Sequence, residues 1–195
     1  MRYFRKLYDW VLHWAYTPYG VPVLFILAFA ESSFFPIPPD VLLIALALSL
    51  PKKSFKYAAI CTAGSVLGGM FGYFIGLEFI DTFGMRILTL YGATEKYEYI
   101  RALYMRYDAW AVCIAGFTPI PYKVFTIAAG AFKIDFVVFV LASLAGRAGR
   151  FFLVAFLIYR FGPPIKVFID KYFNILTIAF FVLLVGGFML IKYLS

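Results

Sequence analysis

Five charged residues stand inside or beside long apolar stretches of this chain: Glu31, Asp40, Lys123, Arg147 and Arg150. On insertion scales an acid or base at the centre of a membrane helix costs about 2.5–3.5 kcal/mol, so the five together cannot face lipid. They must face one another, or water, inside a helical bundle. Arg147 and Arg150 are three residues apart, which places them on one helix face. Neighbouring guanidiniums repel unless an anion lies between them. A carboxylate from Glu31 or Asp40 would meet that need, giving a buried ion-pair network that holds the fold together. A phosphate would meet it equally well, because its oxygens match the guanidinium fork. In that second reading Lys123, Arg147 and Arg150 attract an anionic headgroup. Glu31 or Asp40, partly desolvated, is then the expected proton carrier.

The acids and the lysine flank a short repeat. Phe34-Phe35-Pro36-Ile37-Pro38 and Phe117-Thr118-Pro119-Ile120-Pro121 share the pattern Phe-x-Pro-Ile-Pro, each in the middle of an apolar stretch. Prolines break helices, because each lacks a backbone donor and its ring clashes with the preceding turn. Pro36, Pro38 and Pro39 break the first stretch, and Pro119 and Pro121 the second. A break in hydrocarbon exposes backbone polar groups, so it survives only inside protein or beside a wet cavity. Ser32, Ser33 and Thr118 are placed to satisfy those freed groups.

Composition says what kind of protein must position these residues. Of 195 residues, 64% are hydrophobic and 14% charged, against about 45–50% and roughly 25% in soluble domains. The chain reads as a single all-α integral membrane domain over residues 1–195. Its charge is basic, 18 Lys+Arg against 10 Asp+Glu, which suits cytoplasmic loops and anionic lipid. No soluble basic face is present for nucleic acid. Cys61 and Cys113 sit in apolar segments as small hydrophobes, and a lone histidine offers no zinc cluster. No cofactor is expected, and no metal. Phosphate-loop, nucleophile-elbow and zinc-protease motifs are absent, so the chain is not read as an enzyme. Ala28-Phe29-Ala30 looks like a signal-cleavage site, but Pro18 and Pro22 interrupt the apolar core that such a leader needs.

Along the chain, residues 1–17 read as an amphipathic interfacial helix with Phe4, Leu7, Val11 and Trp14 on one stripe and His13 on the polar side. Residues 21–50 form the first broken stretch, whose arms are too short for the roughly 20 residues a span requires. Basic clusters precede it (Arg2, Arg5, Lys6) and follow it (Lys52, Lys53, Lys56). By the positive-inside rule both its ends, and the N-terminus, lie on the cytoplasmic side, which makes it a re-entrant hairpin. Residues 57–80 read as a span carrying Gly64, Gly68, Gly72 and Gly76 at successive i+4 steps. That face permits close helix packing inside the chain or in a homodimer. Residues 81–108 read as a second interfacial helix with a stripe of Tyr97, Ile100, Tyr104 and Tyr107. A second re-entrant hairpin follows over 109–132, then spans over 134–160 and 172–191, with Gly162-Pro163-Pro164 between them. Residues 1–80 and 81–160 thus repeat one element order with opposite insertion, and 161–195 adds a connection and a last span. The expected architecture is an inverted repeat of two opposed re-entrant hairpins plus about three transmembrane helices, an arrangement that recurs in secondary transporters.

The motifs resemble those of the DedA family, also called the SNARE-associated or VTT-domain family. Glu31 through Asp40 is similar to the family's acidic, proline-centred re-entrant motif, Gly68 through Gly76 to its glycine-rich motif, and Phe117 through Lys123 with Ala129-Gly130 to its second hairpin. The likeness covers roughly residues 20–165. Gly68-Gly69 stands where the family has a glycine–aspartate pair, Gly116-Phe117 where many members carry an arginine, and Lys123 where an arginine follows the second proline. These departures resemble the YqaA-like branch and shift the positive charge onto Arg147 and Arg150. The resemblance implies a bacterial inner-membrane lipid transporter, a flippase or scramblase for a polyprenyl phosphate or a phospholipid, with protons as a candidate coupling ion. Two other readings use the same residues: a proton-coupled transporter of small ions or drugs, and a non-transporting assembly factor.

Overall fold

Prolines and glycines set the helix boundaries. A computed structural model of the chain describes residues 17, 19–34, 38–92, 94–118 and 121–162. Helix α1 runs Gly20–Ser33 and α2 runs Asp40–Ser49. Pro22 falls in the first turn of α1, where its missing N–H has no intrahelical acceptor to lose. Pro39 caps α2, and Asp40 occupies its first turn, where the helix dipole favours an acid. At about 1.5 Å per residue, 14 and 10 residues make arms of roughly 21 and 15 Å. Neither reaches across a hydrocarbon layer of about 30 Å. Leu50, held in extended backbone before Pro51, ends the second arm.

A 3₁₀ turn, Pro51–Lys53, leads into α3, Ser54–Phe79. A π-turn over Ile80–Gly84 carries the chain on into α4, Met85–Leu90. Helix α5 spans Thr94–Phe117, α6 spans Tyr122–Ala131, and α7 spans Phe136–Phe161. Asp135 caps α7 by accepting from the Val138 N–H at 2.9 Å, and Gly162 ends it with a positive φ of 62°. Among the described residues two helical runs are long and apolar enough to cross a membrane, Pro51–Leu90 and Phe136–Phe161. Their outer faces expose Leu67, Phe71, Phe74, Leu141, Leu153 and Phe156, the surface a lipid-facing helix presents.

Helix α3 is the central post, packed by α1, α6 and α7; α2 and α5 lie against α7. The four i+4 glycines of α3 all work inside the chain. A Cβ at Gly64 or Gly68 would collide with the α1 carbonyls of Phe25 or Phe29, and one at Gly76 with the α6 carbonyl of Ile127. At Gly72 it would come within 2.5 Å of Thr126 Oγ1. That face is filled by α1 and α6, which leaves it no room for a second copy. Two apolar cores result. One joins α1, α2, α3 and α7 through Leu24, Leu43, Cys61, Phe151 and Ile158. The other joins α3, α5, α6 and α7 through Tyr73, Val112, Tyr122 and Phe139.

The second half departs from the sequence reading. Of the expected interfacial helix at 81–108, residues 81–90 continue the run from α3, and residues 94–108 join the first arm of the second hairpin in one continuous α5. No proline or glycine lies between Thr94 and Ala115, so nothing breaks it. Two residues of the expected stripe, Tyr97 and Tyr104, pack on α6, while Ile100 is exposed. Tyr97 stacks on Phe132 at 5.5 Å and donates to the Ala131 carbonyl at 2.7 Å, and Tyr104 donates to the Phe125 carbonyl at 3.2 Å. A helix end leaves its last carbonyls unpaired, and Tyr97 supplies a donor to the last one of α6. Arg101 Nε does the same for Phe132, and Tyr73 for Ile134 at 2.6 Å. The expected helix at 1–17, with His13, and the span at 172–191 fall outside the described residues.

Tyr73→Phe isolates one of these ties. It keeps the ring stack on Phe139 and strands a carbonyl at a turn where Ile134 itself is buried. The expected loss is about 1–2 kcal/mol, a shift of a few degrees in thermal unfolding in detergent.

Candidate functional site

The site grows from the two ends of the first break. Glu31 lies in the last turn of α1 and Asp40 in the first turn of α2. Helix α7 passes behind both and gives each acid one arginine. Arg147 Nη2 donates to Glu31 Oε2 at 2.6 Å. Arg150 grips Asp40 with both prongs of its fork, Nε to Oδ1 at 3.1 Å and Nη2 to Oδ2 at 3.0 Å. The three-residue spacing on α7 thus matches the gap across the break, and each guanidinium finds its own carboxylate.

The two pairs sit in different surroundings. Arg147 is buried, with its side chain 3% exposed. Its Nε donates to Ser65 Oγ on α3, and its Nη2 also lies 3.5 Å from Ser32 Oγ. Its guanidinium carbon lies 4.8 Å from the Tyr122 ring centroid and 4.7 Å from that of Phe151. Tyr122 belongs to one apolar core and Phe151 to the other, so Arg147 stands on the seam between them. Cation–π attraction of this kind is worth about 2 kcal/mol where water is excluded. Ser32 Oγ closes the network by donating to Glu31 at 3.1 Å and sharing a hydrogen bond with Ser65 Oγ at 2.7 Å. Arg150 and Asp40 are about one-fifth exposed, and each pairs only with the other among the described residues.

The second break closes onto the first. Thr126 of α6 donates to the Ser32 carbonyl at 3.1 Å, one of the orphan acceptors at the end of α1. Ser33 Oγ lies 2.7 Å from the Phe29 carbonyl and 2.9 Å from that of Gly68. Thr118 donates to the Ile114 carbonyl at 2.7 Å. Ser33 and Thr118 are therefore spent on backbone as expected, whereas Ser32 spends its hydroxyl on the side chains of Glu31 and Ser65. Pro38 and Pro121 are exposed and Pro39 is buried; Pro36 and Pro119 lie outside the described residues.

Lys123 does not join the arginines. It follows Tyr122 in the first turn of α6, half-buried, and its ammonium has no ion pair among the described residues. Sequence reasoning placed it with Arg147 and Arg150; the structure brings its neighbour Tyr122 there instead. Ser65, Tyr122 and Phe151 were not among the expected site residues. Ser65 carried a signal, since it lies three residues before Gly68 and so shares the tightly packed face of α3. Tyr122 and Phe151 had none, because two more aromatics in so aromatic a chain do not stand out. Away from the cluster, Glu78 accepts from Thr82 and Asp135 caps α7. No group of acids, histidines or cysteines among the described residues could hold a metal ion.

Chemically the cluster is two neutralised arginines at a helix break, one enclosed and one open. A guanidinium fork that holds a carboxylate can hold a phosphate by the same geometry.

Comparison with known proteins bears on the same segment. The model of the VTT domain matches residues 37–160, which include Asp40, Lys123, Arg147 and Arg150. An uncharacterized protein of Haemophilus influenzae is 34% identical over 192 residues, covering 98% of this chain and all of that protein. An uncharacterized protein of Histophilus somni is 34% identical over 160 residues, covering 80% of this chain and 82% of its own. No solved structure matches the chain.

Proposed function

The chain belongs to the VTT-domain family, also called DedA, and from that premise we propose that it is a membrane lipid transporter, a flippase or scramblase for a phosphate-bearing lipid. One observation carries the reading: two arginine–carboxylate pairs meet at a helix break inside an apolar bundle. Charge of this kind is costly in a membrane protein and marks substrate or ion pathways. The short arms of α1 and α2 are read as a re-entrant hairpin. The break before α6 is its counterpart from the other side, in the inverted-repeat plan of transporters. The headgroup phosphate of a phospholipid or polyprenyl phosphate would meet the basic face of α7, with Lys123 as a further cation at the second break. Glu31 and Asp40 are the acids that accept protons as the headgroup passes. In this reading the membrane is a bacterial inner membrane, and the basic clusters flanking the first hairpin support a cytoplasmic N-terminus.

Liposomes reconstituted with the protein and a fluorescent phospholipid or polyprenyl phosphate test this. Transbilayer movement is expected to exceed that of protein-free liposomes, and Arg150→Gln to slow it by about tenfold or more, the worth of one charge-assisted hydrogen bond. Movement no faster than in empty liposomes, or an unaffected Arg150→Gln, defeats the proposal. Proton flux without lipid movement in the same vesicles would point to an ion or drug transporter. Neither flux would leave an assembly role.

A further inference from the structure

The two ion pairs differ in a way that divides their work. Arg147 is enclosed, its side chain 3% exposed: a hydroxyl lies at Nε, a carboxylate and a hydroxyl at Nη2, and the Tyr122 and Phe151 rings within 5 Å of its guanidinium carbon. A ligand could reach it only by dismantling the seam between the two cores. Arg150 has one partner, Asp40, and both are about one-fifth exposed. In neither arginine does Nη1 have an acceptor among the described residues, so exposure and the number of partners are what separate the two. Phe34 and Pro38, which precede and follow the break, are exposed. Asp40 also lies in the first turn of α2, whose leading N–H groups favour a negative charge whether or not that charge belongs to Asp40.

Resting on the transport reading, we propose that Arg150 is the residue that takes the phosphate, and that Asp40 is its built-in competitor. Asp40 holds the fork in the empty protein and yields it to an incoming phosphate, and its return expels the headgroup. Arg147 and Glu31 hold the break in shape and do not exchange. The exchange replaces one bidentate oxyanion with another, so the guanidinium stays paired throughout and the energetic cost of the step is small. Without a competitor, an arginine this sheltered would retain its phosphate and turn over slowly.

The test is binding of short-chain phosphatidic acid to the full chain in detergent, with inorganic phosphate and short-chain diacylglycerol as parallel probes. Removing a competitor that holds the site about nine-tenths of the time tightens apparent affinity about tenfold. Asp40→Asn should therefore bind phosphatidic acid about tenfold more tightly than wild type while translocating it more slowly. Tightening for inorganic phosphate as well would show that any phosphate suffices; tightening for phosphatidic acid alone would show that the site reads a lipid headgroup. Unchanged or weaker binding in Asp40→Asn, or equal tightening for diacylglycerol, overturns the proposal. If Asp40→Asn does not fold, Arg150→Lys takes its place. It keeps the charge and loses the fork, and its phosphatidic acid binding should fall about tenfold, the value of one charge-assisted hydrogen bond. No fall there also overturns the proposal. The two claims fail separately. Wild-type liposomes that move no lipid defeat the transport reading even if Asp40→Asn binds more tightly. Lipid movement with unchanged binding defeats the competitor alone.

Discussion

Arg147→Met is expected to destabilise the protein by about 3–5 kcal/mol, the usual cost of breaking a buried ion pair by removing one partner. The substitution keeps an unbranched apolar stem and removes the guanidinium. It leaves Glu31 charged beside Ser32 and Ser65 with no cation, and it withdraws the cation from between Tyr122 and Phe151. Thermal unfolding in detergent, followed by circular dichroism, reads the loss. Two second substitutions sort out its cause. Adding Glu31→Gln removes the stranded charge and should recover more than half of the deficit, because the neutral amide can still bond to Ser32. Adding Glu31→Asp keeps the charge and should recover nothing. A single variant as stable as wild type would mean that Arg147 is not holding the two cores together.

How much of this was legible beforehand depends on the distance over which each interaction acts. The breaks were legible because proline acts on its own backbone. The helices end at Ser33 and Phe117 and resume at Asp40 and Tyr122, on either side of the two proline clusters. The glycine face of α3 was legible because an i+4 repeat of residues without side chains has few other uses. Its partner was not, since spacing states that something packs closely and leaves open what. The pairing of Arg147 and Arg150 with acids was also open. Charge balance required an anion near them without saying whether it was carboxylate or phosphate. The structure places Glu31 on one guanidinium and Asp40 on the other, and no local rule links residues more than a hundred positions apart. Lys123 shows the converse error. Its place beside the second break suggested the same cluster, but side chains at successive helix positions point about 100° apart, and Tyr122 took the inward direction. The interfacial helix at 81–108 failed for a simpler reason. A change in composition from charged to apolar near residue 109 was read as a boundary, and composition alone does not break a helix.

Alanine substitutions along α3 should give two sharply different classes at adjacent positions. Gly68→Ala and Gly76→Ala place a methyl group against the backbone carbonyls of Phe29 and Ile127. Backbone cannot rotate out of the way as a side chain can, so α1 or α6 must move off the post. Moving α1 drags Glu31 away from Arg147, and Ser33 away from the Gly68 carbonyl. Moving α6 strains the Thr126 bond to Ser32. Overpacking costs about 1–3 kcal/mol where side chains can adjust; with backbone on both sides the cost is expected at about 3 kcal/mol or more, and each variant should lose most of its folded yield. Gly69, one position along, meets no backbone within its nearest contacts: the Tyr122 hydroxyl lies at 3.2 Å, and the Tyr122 Cε1 and a Thr126 methyl at 3.4 Å. Those are the ends of side chains and can give way. Alanine also favours a helix over glycine by about 1 kcal/mol, so Gly69→Ala should fall within about 1 kcal/mol of wild type. Folded yield after size-exclusion chromatography, with thermal unfolding of what elutes, separates the classes. The contrast does not come from helix propensity, which is the same at all three positions, so equal behaviour would mean that α1 and α6 do not sit on the glycine face. The contrast also bears on the site. The charged pairs span the break only while α1 lies flush on α3, so the glycines act on Glu31 and Arg147 at a distance, through the approach of two backbones.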